Sequence, residues 1–119
     1  MKAMTVRVLL VEDDPASLEL ATEILTEDGL EVIAATNGEQ AILIARRETP
    51  DIVLLDLTLS GRGGLEAARA LKEDEATAQI PLVAVSGQRI DVKPPFVGYI
   101  AKPIQARQFA AQVRAFLDG

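Results

Sequence analysis

The sequence predicts an α/β domain, a parallel β-sheet with helices packed on both faces. Short runs rich in Val, Ile and Leu alternate with longer stretches whose apolar residues recur at helical spacing, and the links between them are short. One run, residues 52–55, is apolar throughout, which is the pattern of a strand covered on both faces. Strands alternating with helices over short connections point to a layered parallel sheet.

Taken in order, residues 6–11 are apolar except for Arg7 and form the first strand. Asp14-Pro15 supplies a cap and a proline at the first helical position. Leu18, Ala21, Ile24 and Leu25 then share one face of a helix that stops at Gly29. Residues 32–35 are a second short strand, ended by Asn37-Gly38. A helix over residues 39–48 follows, with Ala41, Ile42, Ile44 and Ala45 on its buried side, and Pro50 stops it. Residues 52–55 form the third strand. After a loop at 57–63, a helix over 64–73 turns Leu65, Ala68 and Leu71 inward. Residues 82–85 are the fourth strand and 99–101 a short fifth. The last helix covers 106–117, with Phe109, Val113, Phe116 and Leu117 on its apolar side.

Composition narrows the chemistry. A chain of 119 residues, 49% hydrophobic and 25% charged, suits one domain with one core of two or three layers. It has no Cys, His or Trp. Disulfides, Cys/His zinc sites, His-ligated haem and catalysis by an internal imidazole or thiol are excluded. What remains rests on oxygen groups and lysine. Twelve Lys and Arg against eighteen Asp and Glu give a net charge of −6, which disfavours direct nucleic-acid binding. The apolar run at 6–11, closed by Glu12-Asp13-Asp14, is too short for a signal-peptide core or a membrane span. A cytoplasmic location without membrane insertion is the expectation.

In parallel α/β sheets, ligands bind beyond the carboxyl ends of the strands. Read there, the first strand ends in Glu12, Asp13 and Asp14, the third in Asp56, the fourth in Ser86-Gly87 and the fifth in Lys102-Pro103. Crowded carboxylates disfavour one another's ionisation unless a cation joins them. A hard divalent ion resolves the conflict, and Mg²⁺ suits one or two carboxylates plus water and phosphate. Lys102 adds a positive charge for an anion and Ser86 a donor beside it. The set points to phosphoryl chemistry with a carboxylate acceptor.

At these residues the chain resembles the receiver domain of bacterial two-component response regulators, including the stand-alone chemotaxis type. The resemblance spans residues 7–117. It is carried by Leu9-Leu10-Val11-Glu12-Asp13-Asp14, Asp56 closing an apolar strand, Gly64 after a loop, Ser86-Gly87, and Tyr99-Ile100-Ala101-Lys102-Pro103. It implies a flavodoxin-like, doubly wound, five-stranded sheet in the order 2-1-3-4-5, a single receiver domain over residues 1–119, and no output domain within the chain.

The resemblance also implies roles. Asp56 is the phosphoacceptor. Asp13 is a direct Mg²⁺ ligand, Glu12 its acidic neighbour acting through water, and Thr58 contributes its backbone carbonyl, leaving its side chain to tune access. Asp14 stands outside the core site. Ser86 bonds a phosphoryl oxygen, Gly87 admits the group, and Lys102 pairs with it. Tyr99 holds the position of an aromatic switch residue, and Lys102-Pro103 that of a bond usually cis, a state open chiefly to peptides before proline. Phosphorylation adds about −1.5 to −2 charge. Ser86 then moves toward the phosphoryl group and Tyr99 turns into the space it leaves, biasing a two-state element. With no His in the chain, the phosphohistidine donor is another protein, a sensor histidine kinase or a histidine phosphotransfer protein. A downstream protein target reads the result, and the acyl phosphate is later lost to water. The domain is thus a regulatory phosphoacceptor rather than an enzyme acting on other substrates.

Taken singly, each residue has a plainer reading. Glu12-Asp13-Asp14 equally suits a helix start, where acids are favoured. Tyr99 equally suits core packing, Lys102 a solvated surface and Pro103 the start of the last helix. A carboxylate at the end of a buried strand is costly without a partner, so Asp56 favours function. Two other functions share the pattern: an interaction module that regulates without phosphorylation, and a phosphatase of the haloacid-dehalogenase type. The latter needs a second Asp two residues after the nucleophile, where Thr58 stands.

Two departures from the family pattern stand out. Ser60 occupies a position where proline is usual, within a loop made glycine-rich by Gly61-Arg62-Gly63-Gly64, which entropy would keep mobile. The connection 87–98 is short, and Pro94-Pro95 forbids helix across its later half. The helix usual between the fourth and fifth strands is therefore expected to be missing or reduced to a turn. An altered output face follows from that.

Overall fold

The computed structural model describes residues 5–59 and 63–118. The elements run β1 (Arg7–Val11), α1 (Pro15–Glu27), β2 (Glu31–Ala35), α2 (Gly38–Glu48), β3 (Ile52–Asp56), α3 (Gly64–Glu73), β4 (Leu82–Ser86), β5 (Gly98–Ala101) and α4 (Phe109–Asp118). The five strands form one sheet in the order β2-β1-β3-β4-β5, and every neighbouring pair is parallel. Consecutive parallel strands require crossovers, and helices supply all but one of them.

The exception is the β4–β5 connection. Residues 87–97 contain no helical turn, as the sequence predicts from its length and from Pro94-Pro95. Phe96 folds back into the core in place of a helix, and Ile90 packs against the same cluster. Ser60, Gly61 and Arg62, on which the expected loop mobility rests, lie outside the described residues.

The sheet separates two apolar layers. Ala41, Ala45, Ala67, Ala68 and Leu71 of α2 and α3 meet Leu9, Val53, Leu55, Leu82 and Ala84 on one face. Ala21 and Leu25 of α1 with Phe109 and Val113 of α4 meet Val8, Leu10, Leu54, Val83 and Ile100 on the other. All five residues of β3 are buried, which accounts for the unbroken apolar run at 52–55.

One side-chain expectation and one helix boundary change. Leu65 points outward, 46% exposed, and Ala67 takes the inward place beside Ala68 and Leu71. The buried stripe of α3 runs through Gly64, Ala67, Ala68 and Leu71, and Leu65 falls outside it. The last helix begins at Phe109 rather than 106. Residues 106–108 form a turn in which Gln105 O accepts from the amides of Gln108 (2.9 Å) and Phe109 (2.8 Å). Pro103 therefore lies well ahead of the helix and does not start it.

Local chemistry sets the helix ends. Asp14 caps α1, its Oδ2 accepting from Ser17 N at 2.9 Å, and Pro15 follows at the first helical position. Asn37 caps α2 through Gln40 N at 2.9 Å. Thr77 closes α3 by donating from Oγ1 to Leu71 O at 2.6 Å, and Lys72 ties down the following connection by donating to the carbonyls of Ala78 and Ile80, both at 2.8 Å. No described helix is long and apolar enough to cross a membrane.

Candidate functional site

Parallel strands deliver their carboxyl ends to one edge, and main-chain bonds hold the polar residues there in register. Glu12 follows β1 and extends its ladder, with its amide on Ala35 O at 3.0 Å. Asp56 is the last residue of β3 and Ser86 the last of β4, each one residue further into its strand than the apolar pattern indicates. Lys102 follows β5, with its amide on Ser86 O at 2.8 Å. Gly64 lets α3 approach closely. A Cβ there would stand 2.7 Å from Asp56 O and 3.0 Å from Leu57 Cα.

The side chains converge. Lys102 Nζ donates to Glu12 Oε1 at 2.8 Å and to Asp56 Oδ2 at 2.5 Å. Asp56 Oδ1 accepts from Thr58 N at 2.8 Å and Thr58 Oγ1 at 2.7 Å. Glu12 Oε2 accepts from Asp14 N at 3.2 Å. Glu12 and Asp56 are only 5% and 2% exposed, so each depends on these partners for compensation. The sequence left the Thr58 side chain unassigned to any partner. Its hydroxyl in fact bonds the Asp56 carboxylate.

Burial and charge pull the groups in opposite directions. Burial pushes the Glu12 carboxyl above its ordinary value, and the bond from Lys102 only partly offsets this. Burial also pushes on Asp56, but the Lys102 ammonium and the two Thr58 donors outweigh it and hold its carboxyl below the ordinary range. Burial lowers Lys102, yet the two carboxylates prevail and raise it. Asp56 is therefore an ionised carboxylate, and Lys102 a charged ammonium, at neutral pH.

Carboxylate oxygens of Glu12, Asp13 and Asp56 lie within 4.8 Å of one another. This all-oxygen donor set, two of its members buried, fits a hard divalent cation such as Mg²⁺ and offers nothing to a soft one. Asp14 stands aside as the α1 cap, with its carboxyl held below the ordinary range by Ser17.

At the adjacent edge, Ser86 is buried and its Oγ accepts from Gln88 N at 3.0 Å. A Cβ added at Gly87 would meet no described atom within 4 Å, so the approach there is open. Tyr99 is half-buried in β5 and its hydroxyl donates to Gln88 O at 3.2 Å. The Lys102–Pro103 peptide is cis, as is Pro94–Pro95. Sequence reasoning missed Gln88. It acts through its main chain, which its side-chain identity does not reveal. Also missed was an apolar recess of about 120 Å³ beside the carboxylates, with Leu20, Ile104 and Phe109 in its lining together with Asp56 and Lys102.

Comparison with known proteins agrees with this architecture. A family model described as the response regulator receiver domain matches residues 8–114. Protein PilH of Pseudomonas aeruginosa is 31% identical over 123 residues, covering 95% of this chain and 98% of PilH. The polar-differentiation response regulator DivK of Brucella ovis is 31% identical over 120 residues, covering 96% of this chain and 98% of DivK. Among solved structures, the receiver domain of the sensor histidine kinase PA1611 from Pseudomonas aeruginosa PAO1, with a magnesium ion coordinated in its active-site cleft, superposes with a TM-score of 0.89. It is 23% identical and covers 98% of this chain and all (100%) of that one.

Proposed function

The chain belongs to the response regulator receiver domain family, the regulatory signalling domain of two-component systems, and from that premise we propose that it is a switch phosphorylated on Asp56. The observation that carries the proposal is the arrangement of one ammonium, Lys102 Nζ, between the buried carboxylates of Asp56 and Glu12, with Asp13 close by. A purely structural ion pair would not need a third carboxylate at the same point.

Glu12, Asp13 and Asp56, with the Thr58 backbone carbonyl, would hold Mg²⁺. The bound ion would supply charge neutralisation for the phosphoryl oxygens. An Asp56 carboxylate oxygen attacks phosphorus in line, forming an O–P bond as the N–P bond of a partner's phosphohistidine breaks. The imidazole leaves with the partner. Lys102 shifts from Asp56 to a phosphoryl oxygen, and Ser86 Oγ–H donates to another through the opening left by Gly87. Tyr99 then reorients and changes the surface that a downstream protein reads. Hydrolysis reverses the state: water attacks phosphorus, the O–P bond breaks, and inorganic phosphate leaves the regenerated carboxylate. The recess beside Asp56, with the exposed Leu20 in its lining, would seat an apolar side chain of the phosphodonor, a sensor histidine kinase or phosphotransfer protein.

The lack of a helix between β4 and β5 favours a second reading, an interaction module that works without phosphorylation. Incubation with Mg²⁺ and acetyl phosphate, read by intact mass, separates the two. The switch gains one phosphoryl group that Asp56→Asn does not, whereas a parent protein that stays unmodified across donor concentrations and pH leaves the module reading.

A further inference from the structure

The helices α1 and α4, which cover one face of the sheet, divide their charge by sign. Over residues 15–27 the charged side chains are Glu19, Glu23 and Glu27, all exposed. Over residues 105–117 they are Arg107 and Arg114. On the other face, α2 and α3 each carry both signs. Acids four residues apart repel, and α1 has no Lys or Arg of its own to offset them. Among the described residues, Glu23, Glu27 and Arg107 have no ion-pair partner. Arg114 is held by Asp28, its Nε on Oδ2 and its Nη2 on the main-chain O, both at 2.6 Å. Between the helices lies an open groove of about 640 Å³, lined by Ile24 and Glu27 on one bank and by Arg107, Ala110, Ala111 and Arg114 on the other.

We infer that this groove seats a second copy of the chain, in a two-fold dimer that lays α1 of each protomer on α4 of its partner. The two helices run in the same direction, since each descends from the carboxyl end of a parallel strand, β1 for α1 and β5 for α4. The Asp28–Arg114 pair fixes their relative height and sets Ile24 level with Ala110, four residues earlier in each. A two-fold axis along the groove exchanges its banks without changing that height. Arg107 then meets the partner's Glu23, an offset of two residues or about 3 Å that an arginine side chain spans, and Arg114 comes level with the partner's Glu27. An axis across the groove would instead set α1 on α1, acid against acid. Charge therefore selects one arrangement, and a face with its two signs in separate rows complements itself, as a closed two-fold contact requires. Ala110 and Ala111 leave room for the partner's helix to approach closely. The contact is centred one turn past Leu20, away from the recess beside Asp56.

Sedimentation velocity of the whole chain over about two decades of concentration, up to about 1 mM, tests this. A reversible monomer–dimer equilibrium is expected, and added salt should weaken it by screening the facing charges. Arg107→Glu and Glu23→Arg should each weaken association about tenfold, because each places like charges together twice in the dimer. Both positions are exposed, and thermal unfolding close to that of the parent verifies that the variants fold. An equimolar mixture of the two variants should recover the association of the parent. Across the mixed pair, each of the two contacts again joins one acid to one arginine. A parent that stays monomeric to the highest concentration overturns the dimer. So does a mixture that associates no better than either variant alone, or a dimer that neither reversal weakens.

Discussion

Lys102 Nζ meets Asp56 Oδ2 at 2.5 Å across forty-six residues of sequence, and the same nitrogen reaches Glu12 Oε1 at 2.8 Å across ninety. One cation thus compensates two carboxylates that burial would otherwise hold in conflict.

Removing that cation should cost stability and make it depend on divalent ions. Lys102→Met leaves Glu12 and Asp56 buried without a counter-charge. Breaking a buried pair costs about 3–5 kcal/mol, and since Lys102 is about one-quarter exposed the loss here should be nearer 2–3 kcal/mol. Urea unfolding with and without Mg²⁺ measures it. Added Mg²⁺ should stabilise the variant more than the parent, and equal stabilisation of both would refute the shared-charge account.

Gly64→Ala should damage the site through the main chain. The new methyl would press on the carbonyl oxygen of Asp56, which β3 cannot easily yield. Overpacking of this kind costs about 1–3 kcal/mol. Acetyl phosphate labelling should slow as well, since the Asp56 carboxylate moves with its backbone.

Gly98 meets the ring of Phe116 of α4, where a Cβ would be driven into the ring. Gly98→Ala should therefore lower the urea midpoint by an amount that depends on Phe116. In combination with Phe116→Leu, the loss should be smaller than the sum of the single changes, with a coupling of about 0.5–3 kcal/mol. Additive losses would show that the contact does not limit position 98.

Acid should erase part of the hold between β1 and α2. Arg7 Nη2 bonds Glu48 Oε1 at 2.6 Å, and its Nη1 bonds Glu48 O at 2.6 Å. The Arg7 and Arg47 side chains keep the Glu48 carboxyl below its ordinary value of 4.5. A lowered folded pKa means the unfolded chain takes the proton first, so the stabilisation is present above that ordinary value and disappears as pH falls through the lower, folded one. The Tm gap between the parent and Glu48→Gln should be open at neutral pH and close in this acid range. Salt should shrink it, because the pair is solvent-facing.

Much of the fold was legible because its signals are local. Asp14-Pro15, Asn37-Gly38 and Pro50 punctuate the helices where they stand in sequence, and the apolar runs mark all five strands. Strand ends were read one residue short at Asp56 and Ser86, since a polar residue looks like a terminus even when its main chain still pairs. Leu65 differs for another reason: helical periodicity identifies a stripe, but in α3 the small residues Gly64, Ala67 and Ala68 take the buried side with Leu71 and leave the larger Leu65 46% exposed.

The sequence by itself determined the α/β layering, the acids and the lysine that close the strands, and the lack of a helix across 87–97. Each is written in contiguous residues. Only the tertiary structure decided that Lys102 is shared between Glu12 and Asp56, that Thr58 spends its hydroxyl on Asp56, that Gly64 must stay bare against Asp56 O, and that Gln88 joins Ser86 to Tyr99. The physical reason is the same in each case. Strand register and main-chain contacts set these distances, and a peptide N–H or C=O is present at Gln88 whatever its side chain.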